Sequence, residues 1–303
     1  MKFPGTNVPD YTVTTGIKSG SGADPDRRSS TYTYGPYDTS KVAPGTVYPI
    51  TVRYEFTKPI IAVSLLERDL EVSHWGGNLA TEERYWLHNN ASKLTDNFSR
   101  VQWTYSQIGG GLLSSALRDI DYPLKPGSVD PYYTDDVGNV TTSNYRPGKR
   151  AHLTLKPRFP LFGGWNYSFR VGWNNALSSF LRQLTPTADT YILKVPFIEG
   201  PDNQEGVQYE KVVLRVVLPE GARNLKFILL EESSPSGLPG SNDFQLDVSN
   251  SKTYMDTLGR TVLTVWVDNL TDSARDSQLL VSTHICLFWL IILEDWTLML
   301  VWI

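Results

Sequence analysis

The sequence predicts a mainly β chain with a few short helices, folded as an antiparallel β-sandwich. Three observations carry this. Apolar and polar residues alternate in several separate runs, the period of a strand with one buried face. Residues 212–218 (VVLRVVL) form a β-branched run closed by the turn signal Pro219-Glu220-Gly221, as expected of a central strand. Aromatic residues make up 12% of the 303, enough to fill a large core, and 23 Gly and 19 Pro punctuate them.

Taken in chain order, residues 1–46 hold few apolar positions, and 19–30 (SGSGADPDRRSS) read as a flexible loop. From Pro49 the pattern changes. Ile50, Val52, Tyr54 and Phe56 alternate with Thr51, Arg53 and Glu55, which predicts a strand. Val101/Trp103/Tyr105, Leu153/Leu155, Phe169/Val171/Trp173 and Val262/Thr264/Trp266 predict four more, with Trp103, Trp173 and Trp266 in the core. Two amphipathic helices are expected. Leu177, Phe180, Leu181 and Leu184 take helical spacing, with Asn174 or Asn175 as N-cap and Pro186 beyond the end. Leu113, Ala116, Leu117 and Ile120 repeat the spacing before Pro123. Residues 231–243 (EESSPSGLPGSND) read as a long polar loop. The expected divisions are 1–65, a β-rich body over 66–281, and a hydrophobic tail over 282–303.

Composition limits the function classes. A net charge of −4, from 28 basic and 32 acidic residues, provides no global field for nucleic acid. The single cysteine, Cys286, excludes an intrachain disulfide and a CxxC site. The start, Met1-Lys2-Phe3-Pro4-Gly5, runs into polar sequence without the apolar stretch of a signal peptide. The 19 residues from Ile285 to Ile303 include eleven Leu, Ile, Phe or Val. At about 0.3–0.6 kcal/mol each these favour insertion into a bilayer, but Glu294 and Asp295 oppose it by about 5–7 kcal/mol together, so the tail makes a poor span.

The motifs of catalysis are missing: there is no GxSxG, HExxH, GxxxxGK[ST] or GxGxxG. His74, His88, His152 and His284 share no ligand spacing, and Asp130, Asp135, Asp136 and Asn139 match no EF-hand loop. Asp135-Asp136 and Glu82-Glu83 are adjacent on strands and point to opposite faces, so both pairs read as solvated surface rather than as acid/base dyads. No catalytic residue, cofactor or metal is predicted. Trp75 and Trp165 stand beside Gly-Gly pairs and are the best candidates for exposed contact, as on a sugar-stacking platform. Asn90, Asn97, Asn139, Asn166 and Asn269 begin N-x-[ST] acceptor motifs, a mild excess over chance.

Residues 156–165 read KPRFPLFGGW, and this segment resembles the signature of the ribophorin I family. EVSHWGGN (71–78), NFSR (97–100), YYTDDVGNVTTS (132–143), VLPEGA (217–222) and YMDTLGR (254–260) resemble the same family in the same order. The resemblance covers about residues 46–281. Physically the signature suits a structural or interaction role through Arg158, Phe159, Pro160, Phe162, Gly163, Gly164 and Trp165. Two prolines hold the backbone extended, Leu161 and Phe162 insert into a core or a partner, and Gly163-Gly164 reverse the chain.

The resemblance implies a β-rich luminal domain and a non-catalytic subunit of the endoplasmic reticulum oligosaccharyltransferase, which transfers a dolichol-linked oligosaccharide to Asn of N-x-[ST]. Implied partners are the catalytic subunit, the other subunits, nascent polypeptides at the translocon and the endoplasmic reticulum membrane. Residues 1–65 then read as the remnant of a preceding luminal domain. Residues 282–303 depart from the family. Val281-Ser282 is what an in-frame GTAAGT splice donor encodes, so the tail is expected to be translated intron. The alternatives are a stand-alone β-sandwich glycan-binding module using Trp75 or Trp165, a non-functional truncated product, and a hydrolase with catalytic residues on another chain.

Overall fold

The computed structural model describes residues 1–73, 75–108, 114–149, 151–184, 190–230, 244–252 and 259–285. His74, Leu113, Pro186, the 231–243 loop, most of the 254–260 block and residues 286–303 lie outside them. The chain divides into two compact units, one of Met1–Lys58 with Gly111–Ser115, the other of Pro59–Gly110 with Ala116–Ile303.

In the first unit, β1 (Asp10–Tyr11) pairs with β4 (Val52–Arg53), and β2 (Asp26–Arg28) pairs with β3 (Thr31–Thr33). Tyr32 is its buried centre, with the rings of Phe3 and Tyr11 at 5.5 and 5.0 Å. The half-buried strand expected over 50–56 shrinks to the two residues of β4. Tyr54 lies exposed, its ring beside Phe3 at 5.1 Å rather than on a sheet face.

The second unit carries the main sheet. Its elements are β5 (Ile61–Ser73), β6 (Asn78–Asn89), α1 (Arg100–Ile108), β7 (Ile120–Leu124), β8 (Val129–Asp135), β9 (Gly138–Asn139), β10 (Asn144–Arg146), β11 (Ala151–Leu155) and β12 (Asn166–Ala176). There follow β13 (Leu181–Gln183), β14 (Thr190–Pro196), β15 (Val207–Glu220), β16 (Ala222–Leu230), β17 (Gln245–Ser251), β18 (Arg260–Thr271) and β19 (Gln278–Ile285). Eight of them form one sheet in the order β17-β18-β15-β5-β6-β12-β8-β9. A four-stranded sheet, β13-β14-β19-β16, and a three-stranded one, β10-β11-β7, contribute to the same hydrophobic core. The mainly β class holds, and the pairing is antiparallel except at the centre, where β15 runs parallel to β5. The residues 212–218 run is central as its β-branched composition predicts: Val212, Leu214 and Val216 are fully buried between β18 and β5.

Strands β11 and β12 form where alternation predicts them, and Trp173 is core. Strand β18 forms too, and both its faces are covered: Val262 and Thr264 of the expected face are buried, but the core side is the other one. Leu263, Val265 and Val267 belong to the core, while Trp266 lies half-buried on the other side. Residues 101–105 are helix, not strand. Ser99 caps it, its Oγ accepting the Gln102 N–H at 3.4 Å, and Trp103 alone of the three aromatic or branched positions turns inward. Both expected helices fail. Leu177–Ser179 is a single 3₁₀ turn that buries Leu177 and leads to buried Phe180; the chain then pairs as β13 with β14. Asn174 and Asn175 sit inside β12 rather than capping anything. Leu117 bridges to Leu161, and Ile120 opens β7. Strand β19 continues through residues 282–285, past the expected boundary at Val281.

Candidate functional site

The link from β11 to β12 carries the KPRFPLFGGW segment, and its residues meet in one place. Arg158 Nε lies 2.5 Å from Asp135 Oδ2, and its Nη2 donates to the carbonyls of Gly138 and Asn139 at 3.3 and 3.0 Å. Asp135 also accepts the backbone N–H groups of Val137 and Gly138, each at 3.0 Å, and Gly138 takes φ +137°. Burial pushes the Asp135 carboxyl up, but the Arg158 guanidinium and the two amides outweigh it and hold it below its ordinary value. Arg158 thus clamps the β8–β9 hairpin to the motif.

Phe159 is exposed, with the Arg100 guanidinium 5.5 Å above its ring, and Pro160 is half-buried. Leu161 exchanges two backbone hydrogen bonds with Leu117, both 2.9 Å. Phe162 is buried among the rings of Trp103, Trp165 and Phe98 at 5.3, 5.4 and 5.5 Å. A Cβ on Gly163 would stand 2.1 and 2.3 Å from the carbonyl oxygens of Ser92 and Ala91, so only glycine fits there. Gly164 has φ +79° and donates its N–H to the Asn89 carbonyl at 2.7 Å.

Asn89, which the sequence does not single out, is the knot of this region. Fully buried at the end of β6, it accepts at Oδ1 from the N–H groups of Ile60 and Ala91, at 3.2 and 3.0 Å. Its Nδ2 donates to the Leu161 carbonyl at 3.0 Å. Its only signal in sequence is parity: it follows Leu79, Thr81, Glu83, Tyr85 and Leu87 on the buried face.

Trp75 belongs elsewhere. It sits in the turn between β5 and β6 and is 73% exposed, whereas Trp165 is half-buried in the aromatic cluster. All five acceptor asparagines are exposed: Asn90 after β6, Asn97 before α1, Asn139 in β9, Asn166 opening β12, and Asn269 in β18. The described histidines stay apart. His88 contacts Asn90, His152 Nε2 lies 3.0 Å from Asp121, and His284 approaches the Thr190 hydroxyl at 3.2 Å. Among the described residues no group of three His, Cys, Asp or Glu could hold a metal ion.

The surface reading of Glu82-Glu83 is half wrong. Glu82 faces outward; Glu83 is 0% exposed and paired with Arg68, itself 1% exposed. Arg68 Nη2 also lies 3.3 Å from Glu199, and Tyr85 donates to Glu83 Oε2 at 2.7 Å. Burial raises the Glu83 pKa, Arg68 opposes that, Glu199 adds to it, and the carboxyl ends above its ordinary value. The arrangement is one guanidinium shared by two carboxylates inside an apolar core. Arg68 and Glu83 are both sealed from solvent, which suits a structural ion cluster.

No helix among the described residues is long and apolar enough to cross a membrane. The family model for Ribophorin I matches residues 1–288. Three curated relatives are oligosaccharyltransferase proteins named dolichyl-diphosphooligosaccharide–protein glycosyltransferase subunit 1 or 1B. The Schizosaccharomyces pombe protein is 33% identical over 82% of this chain and 52% of its own length. Arabidopsis thaliana subunit 1B is 30% identical over 86% and 52%, and the Caenorhabditis elegans protein 32% over 78% and 37%. The chain thus spans about half the length of the first two. Among solved structures, an M1 zinc metallopeptidase from Deinococcus radiodurans aligns with a TM-score of 0.37 at 13% identity, over 73% of this chain and 42% of the peptidase.

Proposed function

Because the chain belongs to the ribophorin I family, we propose that it serves as a non-catalytic subunit of the oligosaccharyltransferase at the luminal face of the endoplasmic reticulum membrane. There it supports transfer of a dolichol-linked oligosaccharide to Asn of N-x-[ST] in nascent polypeptides, as scaffold and presenter of substrate. The carrying observation is the family match over residues 1–288. The use of the signature residues agrees with it: Arg158, Phe162, Gly163 and Gly164 are all engaged in fixing backbone shape, and none is positioned to move a proton. Phe159 and Trp75 are exposed aromatic residues of these motifs. Residues 66–281 are the luminal body in this reading, 1–65 part of a preceding domain, and the exposed Asn90, Asn97, Asn139, Asn166 and Asn269 are candidate glycan carriers.

The test is affinity purification of the gene product, internally tagged at its own locus, from gently solubilised membranes. Co-purification of the oligosaccharyltransferase catalytic subunit and nascent chains is the expected result. Recovery of the chain by itself overturns the reading and favours a stand-alone glycan-binding module. In that module Trp75 would be the stacking surface, since Trp165 is committed to the Phe98–Phe162 cluster.

A further inference from the structure

The charges of the core cluster do not balance. One guanidinium, Arg68, meets two carboxylates, Glu83 and Glu199, and both Arg68 and Glu83 are sealed from solvent. Among the described residues, the other titratable side chains around Glu83 are Tyr85 on β6, Tyr122 on β7 and Tyr209 on β15, all fully buried. On β12 the residue opposite Glu83 is Val171. Tyr209 also faces Arg275, but that guanidinium is held by Asp202 at 3.2 Å and Asp272 at 2.5 Å. It has no charge to spare. With each group in its ordinary ionisation state, the cluster would carry a surplus negative charge.

An uncompensated charge in an apolar core costs so much that the group neutralises instead. Two carboxylates sharing a site reach that end when one keeps its proton. Burial and repulsion from Glu199 both favour the neutral form of Glu83. The geometry admits the acid without rearrangement. Glu83 Oε1 stays against Arg68 Nη1 as an acceptor. Glu83 Oε2 lies 2.7 Å from Tyr85 Oη and can hold the proton on that same line, the tyrosine oxygen accepting. Arg68 Nη2 then has Glu199, 3.3 Å away, as its counter-ion.

What this proton holds together is a joint. Arg68 belongs to β5 in the eight-stranded sheet, whereas Glu199 lies in the link from β14, in the four-stranded sheet, to β15. Three residues further along the link, the Asp202 N–H donates to the Asp121 carbonyl at 2.6 Å. We propose that Glu83 keeps its proton at neutral pH and that this proton latches the β14–β15 link to β5, releasing it when base takes the proton away. Deprotonation leaves two carboxylates repelling each other across one guanidinium, and Glu199, the least buried of the three, moves outward. The inference concerns the core alone and stands whether or not the chain assembles with a catalytic subunit.

The test is infrared spectroscopy on the full 303-residue chain, reading the C=O stretch of a protonated carboxyl, which a carboxylate lacks. Folded wild type should show the band at neutral pH, and urea unfolding should abolish it. Glu83→Gln should lose it. Glu199→Gln should lose it as well, because one carboxylate then matches one guanidinium; a proton held on Glu83 by burial alone would survive that change. As pH rises the band should fade, and protection of the Asp202 amide against exchange should fall with it in wild type but not in Glu199→Gln. An absent band in folded wild type, a band that persists in Glu199→Gln, or Asp202 protection indifferent to the band would each overturn the proposal. The first result would mean that a further cation balances the cluster; His74 and Arg150 are the basic side chains outside the described residues. If the variants fail to fold, the band and the Asp202 protection of wild type still decide.

Discussion

Strands β5 and β6 build two ion networks from neighbouring residues, one on each face of the sheet. On the inner face Arg68 opposes Glu83, both sealed from solvent, with the nearly buried Glu199 joining them. On the outer face Glu67 opposes Arg84, Asp69 binds Arg215 with Nε–Oδ1 of 2.5 Å, Glu82 meets Arg84 and Arg170, and Glu71 meets Arg260. Those groups remain about a third exposed on average and keep part of their hydration. The residue types are the same, so solvent is what differs. Inside, each ion gives up water worth several kcal/mol and depends on its partner; outside, the pairing is a small correction.

Removing one inner partner breaks the comparison most severely. Arg68→Met strands two carboxylates in the core and should destabilise the chain by about 3–5 kcal/mol, seen as a lower urea midpoint. Replacing the whole cluster at once, Arg68→Met with Glu83→Leu and Glu199→Leu, should recover that loss and could add about 1–4 kcal/mol, because no ion is then buried. A recovery smaller than half would mean that packing of the Arg68 stem, rather than charge, holds this part of the core.

Acid separates buried Glu83 from Asp135, the carboxylate clamped by Arg158, by sign. The folded pKa of Glu83 lies above the ordinary 4.5, so its stabilising contribution is complete below pH 4.5 and lost as pH rises through the folded value. Wild type minus Glu83→Gln stability should therefore decline from pH 4.5 upward, at up to about 1.4 kcal/mol per unit. Asp135, paired with Arg158 and held below 3.8, behaves oppositely: its contribution is present above pH 3.8 and disappears as pH falls through the folded value. Chemical denaturation of Glu83→Gln and Asp135→Asn across about pH 2.5–7 checks both signs. The smallest effect belongs to the outer ladder. Arg215→Ala should cost less than about 1 kcal/mol, and less still in 1 M salt. A salt-insensitive loss would show that Arg215 works by covering β15 with its stem.

Much of the inner face was legible. Leu66, Arg68, Leu70 and Val72 share one parity, as do Leu79, Thr81, Glu83, Tyr85 and Leu87, and this places an arginine and a glutamate on the apolar side. Reading Glu82-Glu83 as a pair of surface acids ignored that parity. The signature segment was legible in kind, because glycines and prolines announce backbone constraints. Asn89 was not, since its side chain also bonds Ile60 and Leu161, which only the tertiary fold brings to it. The misassigned helices share a cause. Four apolar residues at i, i+3, i+4 and i+7 also suit a turn followed by a short strand, and pairing of Leu181–Gln183 with β14 decided the matter at Leu177–Leu184. At 101–105 the error ran the other way, where two exposed positions, Val101 and Tyr105, mimicked a strand face.

The parallel pairing of β5 with β15 has a consequence for how the chain is made. Asp69 and Arg215, joined in the finished sheet, are separated by 146 residues. At about 5–20 residues per second, the ribosome delivers β15 roughly 7–30 seconds after β5. During that interval the β5–β6 hairpin has one long apolar edge without its neighbour, the state in which nascent chains aggregate. The parallel joint at the centre of the sheet therefore cannot close until translation has passed β15, and the other edge of β15 waits longer still, for β18 at Arg260–Thr271.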